Sequence, residues 1–189
     1  MRKYELKVAG LKRELPFVDI SDELAFASFV VISDTELIER CAPLLAERIG
    51  ECDAIVTAEA KGIALAYKIS EILGLKEFIV ARKSEKTYMH DTVEVPVKSI
   101  TTASKQVLLL DGVDAGKIAG KNVCIIDDVV STGESLNALE RLVKAADAKV
   151  VKKACILAEG EAAERDDLIL LERLPLFRKV SEGEYEEIE

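Results

Sequence analysis

Residues 123–135, Val-Cys-Ile-Ile-Asp-Asp-Val-Val-Ser-Thr-Gly-Glu-Ser, constrain the fold of this chain more than any other stretch. Four consecutive apolar residues predict a buried strand. Two adjacent carboxylates, Asp127 and Asp128, stand at its C-terminal end. A short loop of hydroxyls and one glycine follows and leads into a helix predicted over 132–145. A strand that delivers polar groups at its carboxyl end and turns into a helix fits an open α/β sheet, where ligands bind beyond the strand ends.

The rest of the chain supports that architecture. Residues 53–57 read as a buried strand. Residues 61–73 read as a helix, with Ile63, Leu65, Ala66, Ile69, Ile72 and Leu73 at helical spacing and Gly74 as its C-cap. Residues 77–81 read as the next strand. Connections this short make a β-α-β unit with parallel strands and a right-handed crossover. Residues 149–157 and 168–171 add strands, while 93–97 and 106–110 suggest an antiparallel excursion. An earlier helix is expected from Ser33 to about Arg48, with Ser33 and Glu36 at capping-box spacing and Pro43 imposing a kink or a boundary. Residues 111–121 hold three glycines and read as a connector. Their Gly112–Lys117 stretch is one residue too short for a nucleotide phosphate loop, and Ile118 stands where a hydroxyl belongs.

The expectation is therefore a single α/β domain with a central, mainly parallel sheet flanked by helices. Residues 34–175 form its core and residues 1–33 a small, irregular N-terminal hood with strand-like pieces. Residues 176–189 read as an acidic, solvated tail, since Glu182, Glu184, Glu186, Glu187 and Glu189 crowd there.

Charge and composition narrow the partners. A net charge of −9 with no basic run argues against a nucleic-acid partner. No apolar stretch approaches the ~20 residues of a membrane helix, and the first residues lack the apolar centre of a signal peptide. No membrane association and a cytoplasmic location are the default expectations. Cys41, Cys52, Cys124 and Cys155 are spread singly, which suits neither a disulfide framework nor a zinc site. His90 is the single histidine, so multi-histidine metal sites are excluded.

The loop after Asp128 has what a phosphate needs. Gly133 lets backbone approach closely, Ser131, Thr132 and Ser135 offer hydroxyl donors, and the helix start offers free N–H groups. The paired carboxylates suit a different task, accepting hydrogen bonds from vicinal ribose hydroxyls. A sugar phosphate fits both halves.

Residues 123–135 resemble the phosphoribosyl-pyrophosphate signature of type I phosphoribosyltransferases. The likeness extends over roughly residues 50–160 and is nearest to purine enzymes of the adenine phosphoribosyltransferase type. The resemblance implies the type I fold and a reaction between phosphoribosyl pyrophosphate and a purine base, giving a nucleoside monophosphate and pyrophosphate in purine salvage. It implies that Asp127 and Asp128 hold the ribose hydroxyls, while Val129, Val130, Ser131, Thr132, Gly133, Glu134 and Ser135 surround the 5-phosphate. Ala60, Lys61 and Gly62 match the pyrophosphate loop. Arg82, Lys83 and Lys86 match the basic stretch that leads into a flexible loop containing His90. Asp127, Asp128 and Lys83 are the implied catalytic residues, and Phe17 and Val18 the implied base-pocket residues. Magnesium (Mg2+), held mainly by substrate oxygens, and a homodimer are implied as well.

The sequence departs from the adenine pattern at several points. Lys61 and Val18 stand where those enzymes carry arginine, Glu134 where a small residue is usual, and Ile100-Thr101-Thr102-Ala103 lacks their glutamate–tyrosine pair. An adenine-type base is the first expectation, with guanine or xanthine sharing the same signature. The alternative is a regulatory protein that binds the sugar phosphate without turnover.

Overall fold

The computed structural model describes residues 3–97 and 106–188. Three strands come first, β1 (Lys3–Val8), β2 (Leu11–Asp19) and β3 (Leu24–Ala27), and then helix α1 (Thr35–Ile49). The β-α-β unit follows as β4 (Ala54–Ala58), α2 (Ile63–Ile72) and β5 (Ile79–Ala81). Next come the hairpin strands β6 (Val93–Val97) and β7 (Gln106–Leu110), and α3 (Gly112–Ile118). The second half continues with β8 (Asn122–Val130), α4 (Glu134–Ala145), β9 (Lys149–Glu159) and β10 (Ile169–Leu174). The last strands are β11 (Leu176–Ser181) and β12 (Glu184–Ile188). Among the described residues no helix is long and apolar enough to cross a membrane.

Five strands form a parallel sheet in the order β10-β9-β8-β4-β5. The apolar run of β8 lies at its centre and obeys the two-residue period of a strand. Cys124 and Ile126 face one core, with α1 and α2, while Val123 and Ile125 face the other, with α3 and α4. Burial on both faces explains why β8 reads as continuous rather than alternating hydrophobicity. The chain leaves β4 toward β5 and leaves β8 toward β9. Connections therefore diverge between the central neighbours β4 and β8, which opens a crevice at their carboxyl ends.

Helix α1 starts one residue later than the capping-box spacing predicted. Asp34, not Ser33, caps it by accepting the Leu37 N–H at 3.0 Å. Its carboxylate also pairs with Arg13 of β2 at 2.6 Å, a second partner that a serine hydroxyl would not hold as strongly. Pro43 neither ends nor divides the helix. It lies on the exposed side with Glu39, so the carbonyl it leaves unpaired faces water.

The two ends of the chain correct the sequence reading most. Residues 3–27 are not irregular, and residues 176–188 are not a solvated tail. Together they build a five-stranded antiparallel sheet in the order β1-β2-β3-β11-β12. Phe177 of β11 and Tyr185, set between Glu184 and Glu186 of β12, bind the sheet together. Buried Phe177 packs edge-on against Tyr4 and Phe17, and Tyr185 stacks on Phe17 at 4.1 Å. Lys179 pairs with Asp19, and Arg178 with Glu186. Residues 112–118 are likewise a helix rather than a bare connector, because Ala115 and Ile118, three apart, bury one side of the turn.

Candidate functional site

The crevice between β4 and β8 collects most of the predicted residues. A cavity of about 360 Å³ is lined by Ala58, Glu59, Ala60 and Lys61 after β4, by Lys83 after β5, and by Asp127, Asp128 and Ser135 after β8. The hairpin closes it with Val97, Gln106, Val107 and Leu108. A smaller depression of about 130 Å³ is lined by Asp127 and by residues 129–136. Asp127 and Ser135 border both, so the two meet there. Ile100-Thr101-Thr102-Ala103 lies outside the described residues.

The carboxylate pair sits in a poor environment for charge. Asp128 is only 4% exposed, and its Oδ2 has no hydrogen-bond partner among the described residues. Burial pushes both carboxyls above the usual carboxylate range. At Asp127 the neighbouring Asp128 adds to that rise, while Lys83 opposes it weakly. At Asp128 the charge of Lys61 is the main opposing influence. The Asp128 N–H donates to Asp127 Oδ1 at 2.9 Å and fixes that side chain against the strand end.

The phosphate-type loop follows from Gly133. It adopts φ +76° as the N-cap of α4, a left-handed conformation that residues with a Cβ rarely take. Its carbonyl accepts the Asn137 N–H at 2.8 Å, and the Glu134 N–H that opens α4 donates to Thr132 Oγ1 at 3.4 Å beside the depression. Glu134, the departure from the resembled pattern, is a partly exposed residue of that first turn.

Gly62 holds the opposite wall close. A Cβ there would come 2.4 Å from Thr57 Oγ1 and 3.5 Å from both the Asp127 Cα and the Ile126 carbonyl oxygen. Thr57 is fully buried and cannot step aside. A glycine at this position lets the start of α2 rest on β8, which carries Lys61 toward Asp128.

The basic stretch after β5 divides. Lys83 lines the cavity, whereas Arg82 is engaged elsewhere. Its guanidinium pairs with Glu59 at 3.3 Å, and its backbone exchanges two hydrogen bonds with Leu109. Burial alone would raise the Glu59 carboxyl, but the Lys83 N–H at 2.7 Å and the Arg82 guanidinium hold it low. Glu59 thus clamps the two basic residues. Lys86 does not line this cavity, and its Nζ donates to Ser84 Oγ at 2.6 Å. His90 is exposed and away from the cavity, its backbone N–H donating to Asp111. Phe17 and Val18 do not line it either, because Phe17 packs within the antiparallel sheet and Val18 faces solvent.

Sequence reasoning missed Glu59, the hairpin wall, and two residues beside the loop, Glu159 and Arg165. Glu59 stands directly before the Ala60–Gly62 stretch, and its spacing ahead of Lys61 was a usable signal. The others reach the site only through strand order, which local patterns do not encode.

Comparison with known proteins agrees with this geometry. The sequence pattern of the phosphoribosyl transferase domain family matches residues 33–173, and the chain belongs to that family. A hypoxanthine/guanine phosphoribosyltransferase from Methanococcus voltae is 36% identical over 136 residues, 71% of this chain and 68% of that protein. One from Methanococcus vannielii is 38% identical over 109 residues, 58% of this chain and 55% of that protein. The fold is similar to solved adenine phosphoribosyltransferases. One from Thermoanaerobacter pseudethanolicus superposes with a TM-score of 0.65 at 21% identity, covering 91% of this chain and 95% of that one. One from Trypanosoma brucei, solved with AMP, pyrophosphate and ribose-5-phosphate, gives 0.66 at 21% identity, covering 79% and 70%.

Proposed function

We propose that the chain is a purine phosphoribosyltransferase that joins a purine to the ribose of phosphoribosyl pyrophosphate and releases pyrophosphate. One observation carries this reading. A paired carboxylate and a helix-start loop border two adjoining cavities that share Asp127 and Ser135, and Lys61 and Lys83 line the larger of them. A ring nitrogen of the base forms the bond to ribose C1 as the bond from C1 to the diphosphate oxygen breaks, and the base nitrogen gives up its proton. Asp127 and Asp128 would orient the ribose hydroxyls and favour positive charge growing on the ring. Lys61 and Lys83 would stabilise the charge growing on the leaving oxygens. The loop 129–135 would hold the 5-phosphate, so that much of the acceleration is positioning.

The carboxylate pair also fits magnesium. It offers hard oxygen donors, one of them the unpartnered Oδ2 of Asp128. Asp127 and Asp128 would hold the ion with substrate oxygens and water, because no cluster of three ligating side chains occurs among the described residues. Bound there, magnesium would neutralise the diphosphate.

The named relatives shift the expected base. Those at 36–38% identity are hypoxanthine/guanine enzymes, whereas the adenine enzymes match in fold at 21%. A 6-oxopurine therefore replaces adenine as the first choice. A homodimer in the cytoplasm belongs to the same reading.

The test is pyrophosphate release from phosphoribosyl pyrophosphate and magnesium with adenine, hypoxanthine, guanine and xanthine offered singly. Release with hypoxanthine or guanine is expected. Release with adenine alone would reverse the base assignment. No release with any base, alongside tight binding of the sugar phosphate, would make the chain a binder rather than an enzyme.

A further inference from the structure

Glu59 puts a carboxylate in the wall of a cavity proposed to hold a diphosphate, the wrong charge for a ligand of that group. Its side chain is only 21% exposed, so water and salt screen it poorly. Its contacts account for its presence. The Glu59 N–H donates to the Ala81 carbonyl at 2.9 Å and ties the loop after β4 to the end of β5. Arg82, the next residue, exchanges two backbone hydrogen bonds with Leu109 of β7. Lys83 lies one residue past that pairing, and its N–H donates to Glu59 Oε1 at 2.7 Å. The other carboxylate oxygen accepts from the Arg82 guanidinium at 3.3 Å. Residues 81–83 are thus held one after another through main-chain groups, and Glu59 holds the first and the last.

We infer that Glu59 is a positioning residue for the diphosphate: it fixes the Lys83 main chain so that this lysine lines the cavity, while Arg82 offsets the negative charge that the tether brings. This inference rests on the proposed diphosphate site and gives the Glu59 clamp a ligand. The two basic residues divide the work. Lys83 serves the ligand, and Arg82, expected from the sequence to bind substrate, serves Glu59. Without the tether, ordered pairing would stop at Arg82 and Lys83 would open the following loop. A lysine is a point charge on a flexible four-carbon stem, so its aim depends on a fixed main chain. Glu59 does not border the smaller depression around residues 129–136, so the sugar-phosphate end of the site is independent of it.

The sign of one change decides. Taking a carboxylate out of the wall of an anion cavity should tighten pyrophosphate binding by electrostatics alone. Losing a tether that aims Lys83 should weaken it. Calorimetry at a fixed magnesium concentration would measure pyrophosphate and ribose 5-phosphate binding to the wild type, Glu59→Leu and Glu59→Gln. Glu59→Leu removes a charge-assisted hydrogen bond and is expected to bind pyrophosphate about tenfold more weakly. Glu59→Gln keeps an oxygen for the Lys83 N–H and removes the negative charge, so its affinity should equal or exceed that of the wild type. Ribose 5-phosphate binding should be unchanged in both variants, which also shows that they are folded. Unchanged or tighter pyrophosphate binding in Glu59→Leu would overturn the inference, as would a Glu59→Gln variant as weak as Glu59→Leu. Equal loss of both ligands would overturn it in favour of a general structural role. A wild type that binds neither ligand would remove the site and the inference together. The expected pattern in a protein that releases pyrophosphate with no base would keep Glu59 as a positioning residue and remove only the enzymatic reading.

Discussion

At the residue scale, Asp128 is placed against its own interest. A carboxylate with a buried, unpartnered oxygen lowers the stability of the free protein, since an unsatisfied polar group costs about 1–3 kcal/mol. Its pKa is raised in the folded state, so the fold binds a proton more tightly there than the unfolded chain does. The stability penalty is therefore absent at low pH and grows as pH rises from the ordinary carboxylate range through the folded value. Asp128→Asn is expected to raise the thermal midpoint at pH 8 by about 2–4 °C, with little gain near pH 4. The same variant should weaken sugar-phosphate binding severely. A midpoint that falls at pH 8 would show that Asp128 has a stabilising partner in the free protein. This residue was legible from its place after an apolar run, because a charged pair at the end of a central strand has few structural uses. The capping residue of α1 was not, since choosing Asp34 over Ser33 depends on Arg13, distant in sequence.

At the element scale, the site depends on how closely two strand–helix junctions approach. Gly62 sets that approach for α2 on β8, with Thr57 filling the space where a side chain would go. Gly62→Ala is expected to destabilise the protein by about 1–3 kcal/mol, the usual range for overpacking a tight interior. It should also weaken pyrophosphate binding, because Lys61 moves with the start of α2. Denaturant unfolding and calorimetry on one sample would read both effects, and an unchanged midpoint with unchanged affinity would refute the role given to Gly62. The parallel elements were legible because each is a buried strand or an amphipathic helix with a clear period. Helix α3 was hidden by glycines, although Ala115 and Ile118 already carried its spacing. Phe17 and Val18 lie on β2, where Phe17 packs against Phe177 and Tyr185 while Val18 is exposed.

At the scale of the whole molecule, a parallel sheet bearing the site shares a core with an antiparallel sheet made from both ends of the chain. Composition misled here, because an acidic strand hairpin and an acidic tail have the same residue counts. The difference lies in the aromatic positions, Phe177 and Tyr185, which pack against Tyr4 and Phe17. Removing residues 176–188 should strip Phe177 from its aromatic partners and uncover the edge of β3. Loss of a buried Phe side chain alone costs about 3–5 kcal/mol, so the truncated protein should melt well below the full chain. A truncated protein with an unchanged melting midpoint would return these residues to the status of a tail.

The strand order has a consequence for how the protein is made. Strand β3 pairs with β11, so residues 24–26 wait for residues 176–178 before that edge is covered. A ribosome adding about 5–20 residues per second leaves the edge bare for on the order of ten seconds. During that interval the nascent chain presents a short open strand beside its neighbours on the same message, a template for pairing between copies. Biogenesis, more than the finished fold, is where this arrangement is vulnerable, and a holdase near the ribosome exit would find its natural grip on that strand.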